Sequence, residues 1–358
     1  MGFFRLLLAV LVLTAHGNIT TYTGIWAVEC FFIISGFYMQ MILTEKYAGQ
    51  RFWALKFWES RLLRIFIPYW VILFCMFLLL AIQYSRSAAE HIPFLALLRD
   101  RPLSIDTLIS TFTNLFIIGA NHLKEMRSMD DCTSALFDNL VIQPIWSVDI
   151  ELLFYMVAPL LLMLPTSALI CIVLATATGK AVLLDGRAAQ IFYGPLHCTD
   201  GLLDGLPALE LGVFLVGALG YRWHNATTIK IHYWPCLTAA FLLLVEVSVG
   251  LKFQSAVVDM AVYQSGLLCT AILVPLLFKA SDSNRFDRAL GELSYPFYLW
   301  HVYCLWLIAS ILSAWPYNPY IVSFIAGVLA LLAAFLTSHY IETPLSRFRH
   351  RRFRRDAE

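Results

Sequence analysis

The sequence predicts an all-α fold, a polytopic membrane helix bundle of about ten transmembrane helices. Three observations predict it. Hydrophobic residues make up 60% of the chain and charged residues 14%, and the mean hydropathy is +0.72, a balance found in membrane-embedded proteins rather than water-soluble ones. Apolar runs near the roughly 20 residues that cross a bilayer recur at 3–16 (a short one), 26–43, 66–83, 145–165, 167–184, 206–222, 234–250, 257–278, 294–313 and 320–341. Basic residues are also unevenly shared between the intervening loops. With the N-terminus inside, inner segments hold seventeen of the 25 Lys and Arg and outer segments eight, the bias that fixes membrane orientation. Both termini are then cytoplasmic.

Two stretches test that count. The run 107–119 (TLISTFTNLFIIG) is short and carries Thr, Ser and Asn. It is expected to be an outer re-entrant or interfacial helix, because a crossing there would put the basic tail RFRHRRFRR outside, against the charge rule. The first run has the short apolar core of a signal peptide, but Leu13 is too large for the position three residues before a cut after Ala15. It is read as a span.

No internal repeat or low-complexity tract is present. Residues 1–345 are read as a single membrane domain and 346–358 as a basic cytoplasmic tail. The largest non-spanning segment, 84–144, lies outside in this topology and is mixed in charge. It reads as a lid or acceptor platform, or as a plain solvated loop. The net charge of +1 gives no reason to expect nucleic acid as a partner. The eight Cys show no CxxC and no zinc spacing, so no metal is expected. Cys132 and Cys198 fall in outer loops, where a disulfide between them is an option that spacing does not support.

The chemistry is expected to centre on Arg5–Phe37, RLLLAVLVLTAHGNITTYTGIWAVECFFIISGF. Two apolar runs flank a short uncharged loop. His16 ends the first run and Glu29 lies near the start of the second, so antiparallel helices place both at similar depth. Ionisable groups inside a bilayer are costly and mark functional sites by default. A carboxylate bound to one imidazole nitrogen fixes the tautomer and makes the other nitrogen a base. The competing reading is a buried polar pair that only locks two helices together. Arg5 precedes His16 by about three helical turns and shares its face, roughly 16 Å away along the axis.

Four further clusters follow. Arg61 and Arg64, in ESRLLRIFIPYW, share a helix face. Their guanidinium forks suit phosphates, although basic residues also flank membrane helices for orientation alone. In QPIWSVDIELLFYMVAP, Trp146, Ser147, Asp149 and Glu151 stand at the outer end of a span. There Trp is an ordinary interfacial anchor and two acids are less ordinary, fit either to bind a hydroxylated acceptor or to pair structurally. In ELSYPFYLWHVY, Ser294, Tyr298 and His301 line one helix face, with His301 roughly 10 Å into the span. That stripe reads as the wall of a ligand path from the cytosol, or as interhelical hydrogen bonding. Glu342 is expected to pair with an inner Arg structurally, and the tail after it to contact anionic lipid.

Taken in order, Arg5 with His16, VECFFIISGF at 28–37, SRLLRIFIPYW at 60–70, WSVDIE at 146–151, LSYPFYLWH at 293–301 and IETP at 341–344 resemble the integral-membrane acyltransferase family 3. That family comprises bacterial O-acyltransferases of surface glycans. Glu29 stands where the family often has Asp, and Leu152 where a second acid often follows Glu151.

The resemblance implies an O-acyltransferase of the bacterial cytoplasmic (inner) membrane with no bound cofactor, using acetyl-CoA or another acyl-CoA as co-substrate. Arg5, Arg61, Arg64, Ser294, Tyr298 and His301 would bind the donor. His16, oriented by Glu29, would act as base or as acyl carrier. Trp146, Ser147, Asp149 and Glu151 would meet a saccharide or glycolipid acceptor. Glycan polymerase and export machinery are the protein partners it implies. Many relatives carry an appended extracytoplasmic hydrolase-like domain. None is expected after residue 358, so a second transfer step would be expected to fall to another protein. The alternative function is a transporter or flippase for a lipid-linked saccharide, against which the lack of symmetry between 1–165 and 166–341 counts.

Overall fold

A computed structural model describes residues 1–19, 23–84, 93–123, 136–184, 207–227, 232–250, 256–281, 283–313 and 318–352. Among them there are helices and no strands. The helices are α1 (Gly2–His16), α2 (Thr23–Ile42), α3 (Trp53–Tyr84), α4 (Pro93–Asp100), α5 (Ile105–Phe116), α6 (Ala120–Leu123), α7 (Ile145–Leu161), α8 (Thr166–Leu184), α9 (Pro207–Ala226), α10 (Tyr233–Gly250), α11 (Ala256–Ser281), α12 (Arg285–Ile311), α13 (Pro319–Thr337) and α14 (Thr343–Arg352). Single π-helical turns, Leu43–Tyr47 and Ser338–Glu342, extend α2 and link α13 to α14.

Four described segments are long and apolar enough to cross a bilayer: Thr23–Tyr47, Trp53–Leu80, Ala261–Ser281 and Pro319–Arg349. The expected ten are not established. The others fall short for local reasons. α1 has 15 residues and α7 has 17, and α12 opens on the charged Arg285, Asp287, Arg288 and Glu292 before its aromatic stretch. The expected tail is also partly structured. α14 runs through the 345/346 boundary, and it is held to α3 where Arg349 donates to the Ser60 carbonyl at 3.2 Å. Cys132 and Cys198 lie outside the described residues.

The chain forms two compact units. The first holds Met1–Arg64, Ala158–Leu169 and Val213–Glu358, and the second Ile65–Val157 and Ile170–Gly212. In the first, α1 and α12 run side by side and parallel. At one end Gly2 meets the α12 backbone so closely that a Cβ there would lie 1.8 Å from the Asp287 carbonyl oxygen. Asp287 accepts from the amides of Gly2 at 2.7 Å and Phe3 at 3.0 Å, so it satisfies the exposed donors at the start of α1. It also accepts from the N-terminal ammonium at 2.6 Å. Asn284 caps α12 by accepting from the amides of Phe286 and Asp287. α2 crosses α9 on paired glycines, Gly36 against the Phe214 backbone and Gly217 against that of Ile33. Small residues of this kind let helices approach in lipid, where apolar burial gives no net drive.

The second unit holds the run expected to be interfacial. α5 is a 12-residue helix, about 18 Å long and too short for a hydrocarbon layer of roughly 30 Å. Its polar residues Asp106, Thr107, Ser110, Thr113 and Asn114 are buried, while Leu108, Phe112, Leu115 and Phe116 are exposed. The Asn114 side chain donates to the carbonyls of Ser110 and Asn139 and accepts from the Val141 amide, all within 2.9 Å. The Trp70 indole of α3 donates to the Leu115 carbonyl at 2.8 Å. The residues that make 107–119 a poor span are those that pin α5 to its neighbours.

Candidate active site

The α1–α12 pair brings two expected residues into contact. His16 ends α1 with an exposed ring, and His301 lies within α12 at 0% exposure. His16 Nδ1 is 3.3 Å from His301 Nε2, and the rings meet edge-on with centroids 5.0 Å apart. The backbone fixes where the protons go. His301 Nδ1 is 2.6 Å from the Tyr298 carbonyl, and His16 Nδ1 is 2.9 Å from that of Val12. A carbonyl only accepts, so both Nδ1 atoms carry hydrogen, and in a neutral imidazole the other nitrogen is then an acceptor. His16 Nδ1–H is shared between the Val12 carbonyl and His301 Nε2. Among the described residues no partner meets His16 Nε2, which keeps its lone pair on an exposed residue, the form a general base requires.

Glu29 is buried on α2 beside Cys30, whose sulfur lies 3.5 Å from the Thr270 hydroxyl of α11. Among the described residues, the groups in hydrogen-bond reach of His16 Nδ1 are Val12 and His301. The orienting contact expected from the carboxylate is made by these two.

Ser294, Tyr298 and His301 do share a face of α12, and that face is packed shut. Ser294 is 1% exposed and donates to the Gly291 carbonyl at 2.8 Å. The Tyr298 ring stands edge-on to Phe31 of α2 at 6.2 Å. Ser294, Tyr298 and His301 are thus all buried between helices.

Toward the other end of α1 the expected cations come together. Arg64, Arg5 and Arg349 all act on the Glu342 carboxylate, with Glu292 opposing them. Arg61 and Arg349 both act on Lys46. Arg61 is buried and Arg64 half-buried. Arg5, Arg64 and Arg349 thus lie within electrostatic reach of Glu342, and Arg61 and Arg349 within reach of Lys46. Sequence reasoning found Arg5, Arg61 and Arg64 but missed Lys46 and Arg349, which it assigned to orientation and lipid. A signal for Arg349 was present: it follows Glu342 by two helical turns and so shares its face.

In the second unit, the four residues expected to meet an acceptor differ in how much of their polarity is already engaged. Asp149 is 1% exposed and accepts from the Asn121 amide at 3.0 Å. Ser147, also buried, donates to the Pro144 carbonyl at 3.0 Å. Both brace the chain. Trp146 and Glu151 are partly exposed, and Glu151 accepts from the Tyr155 hydroxyl at 2.5 Å. No group of His, Cys, Asp and Glu able to hold a metal occurs among the described residues.

The chain matches the model of an acyltransferase domain, acyltransferase family 3, over residues 2–339. Its similar relatives include proteins named O-acetyltransferase OatA from Staphylococcus aureus strains COL and N315. Each is 24% identical over 349 residues, covering 90% of this chain and 52% of the relative. The chain therefore spans about half the length of the curated relatives it matches. No solved structure matches it.

Proposed function

Because the chain belongs to acyltransferase family 3, we propose that it is an integral-membrane O-acyltransferase. It moves an acyl group, acetyl in the first instance, from cytosolic acyl-CoA to a hydroxyl of an extracytoplasmic saccharide or glycolipid. The carrying observation is His16, an exposed residue on the same helix as Arg5, with Nδ1–H held and no partner on Nε2 among the described residues. The name of the relatives supports acetyl as the group and oxygen as the acceptor atom.

In this reading the acceptor O–H gives its proton to His16 Nε2 as the oxygen attacks the thioester carbonyl carbon. The C–S bond then breaks and the CoA thiolate takes the proton from the His16 imidazolium. Arg5, Arg61 and Arg64, with Lys46 and Arg349, hold the donor's phosphates, and Glu29 supports the site from α2. Trp146 and Glu151 bind the acceptor, with Ser147 and Asp149 keeping their segment in place. Glycan polymerase and export machinery are the proposed neighbours in the cytoplasmic membrane, with both chain ends on the cytosolic side.

The test is acyl transfer from radiolabelled acetyl-CoA in membranes carrying the wild-type chain or His16→Ala at equal levels. Free CoA and label in the extracted glycan are both followed. Wild type should do both and the variant neither. Failure of wild type to release CoA from any acyl-CoA, with acceptor-bearing membranes supplied, would sink the enzyme reading and leave a saccharide flippase.

A further inference from the structure

We infer that His301 is the positioning residue of His16: its Nε2 accepts the His16 Nδ1–H and so keeps the base nitrogen bare and directed at the acceptor hydroxyl. The inference rests on the proposed function, because it assigns His301 to the chemistry at His16 rather than to donor binding.

Three features carry it. The His301 ring is wholly buried, and its Nδ1–H is committed to the Tyr298 carbonyl. Its Nε2 therefore faces His16 as an acceptor and not as a donor. The other tautomer of His16 would set a bare Nδ1 against the Val12 carbonyl at 2.9 Å and His301 Nε2 at 3.3 Å. Three lone pairs would converge with no hydrogen between them, so that tautomer is excluded twice over. The third feature is mechanical. Rigid elements hold catalytic groups better than loops do, and His301 stands mid-helix on α12, whose start is locked to α1 by Gly2 and Asp287. His16 is the last residue of its helix, where ends fray. An anchor from the neighbouring helix is what keeps its ring in place.

The contact also matters during reaction. Once Nε2 has taken the hydroxyl proton, His16 is an imidazolium, and its bond to His301 becomes charge-assisted and stronger. An interaction that strengthens only as charge develops raises kcat and leaves binding unchanged.

The experiment uses the full chain in lipid nanodiscs with ring-15N histidine. Nitrogen shifts report which imidazole nitrogen carries hydrogen, and His16→Gln identifies the His16 signals by their loss. In wild type, His16 should be the Nδ1–H tautomer. His301→Phe keeps a ring and removes the acceptor. His301→Gln restores an acceptor at the reach of Nε2. His301→Phe should give mixed His16 tautomers, with kcat for CoA release lowered about ten- to hundredfold, the loss of one hydrogen bond to a charged group. KM for acetyl-CoA should stay within about twofold. His301→Gln should recover most of the tautomer and of kcat. A wild-type His16 protonated at Nε2 overturns the inference, whatever the activity. So does a His301→Phe protein that keeps both tautomer and kcat, or one whose loss is all in KM. If wild type shows the Nδ1–H tautomer but releases no CoA, the acyltransferase reading fails and the His16–His301 geometry stands.

Discussion

α1 with α12, and α7 with the loop before it, both carry polar residues within apolar helices, yet they use them differently. On α7, Ser147 donates to the Pro144 carbonyl and Asp149 accepts from the Asn121 amide through one carboxylate oxygen, the other being buried without a partner among the described residues. On α1, His16 engages one nitrogen and keeps the other exposed. A polar group inside a membrane helix is thus no site by itself. What separates the two regions is where the remaining capacity lies: Asp149 Oδ1 is buried, whereas His16 is an exposed residue.

The largest contrast comes from breaking each side in turn. His16→Gln keeps a polar side chain of similar reach and removes the base. CoA release should fall about 10²- to 10⁴-fold, with thermal stability in detergent close to wild type. Asp149→Ala should do the reverse. It strands the buried Asn121 amide and should cost about 1–3 kcal/mol, read as a lower melting temperature, with activity falling in proportion to the folded fraction. If Asp149→Ala instead kept its melting temperature and lost acceptor-dependent turnover alone, the division between the two regions would be wrong.

The sequence exposed one half of this contrast and hid the other. Arg5 and His16 on one face, and Ser294, Tyr298 and His301 on another, follow from helical period alone. The reading of 107–119 rests instead on its length, its Thr, Ser and Asn and the charge rule, and in the structure buried Asn114 and exposed Phe112 lie on opposite faces of α5. Which face meets which is not periodic information. His16 and His301 are joined by tertiary packing between helices at opposite ends of the chain, and Glu29 was favoured as the orienting group because it is near in sequence. A hint lay in the topology. The first and ninth expected spans run in the same direction, as α1 and α12 do, and each of these helices has a glycine at the close approach near its start, Gly2 and Gly291. The start of the basic tail makes a contact that the sequence does not announce. Arginines after a span serve orientation in most membrane proteins, and only the fold shows that Arg349 turns back onto α3.

A smaller effect sharpens how the α1–α12 register is set. Burial pushes the Asp287 carboxyl up, but hydrogen bonds from the N-terminal ammonium and the Phe3 and Gly2 amides outweigh it and hold the carboxyl below its ordinary value. Asp287→Ala should cost about 0.5–2 kcal/mol, as for the loss of a helix cap. The sign with pH follows. A carboxyl held low in the folded state contributes its full stability above its ordinary value of roughly 3.9 and loses it as pH falls through the folded value. Melting curves of wild type and Asp287→Ala should differ at pH 7 and converge on acidification below about pH 4. A gap unchanged to pH 3 would mean that the carboxylate charge is not what holds α1.

The smallest expected effect tests whether every arginine of α14 belongs with the Arg5 cluster. Arg352 meets Glu59 at 2.7 Å, but the two side chains are 53% and 42% exposed. Solvent screens such a pair, and ordering two long side chains offsets most of the attraction. Arg349, one helical turn back, is half-buried and turned toward Ser60. Arg352→Ala should therefore leave the stability within about 0.5 kcal/mol of wild type and KM for acetyl-CoA unchanged. A clear rise in KM at Arg352 would extend the proposed phosphate site to the exposed face of α14. Its donors would then be recruited by charge alone, rather than by burial on the face that α14 turns to α3.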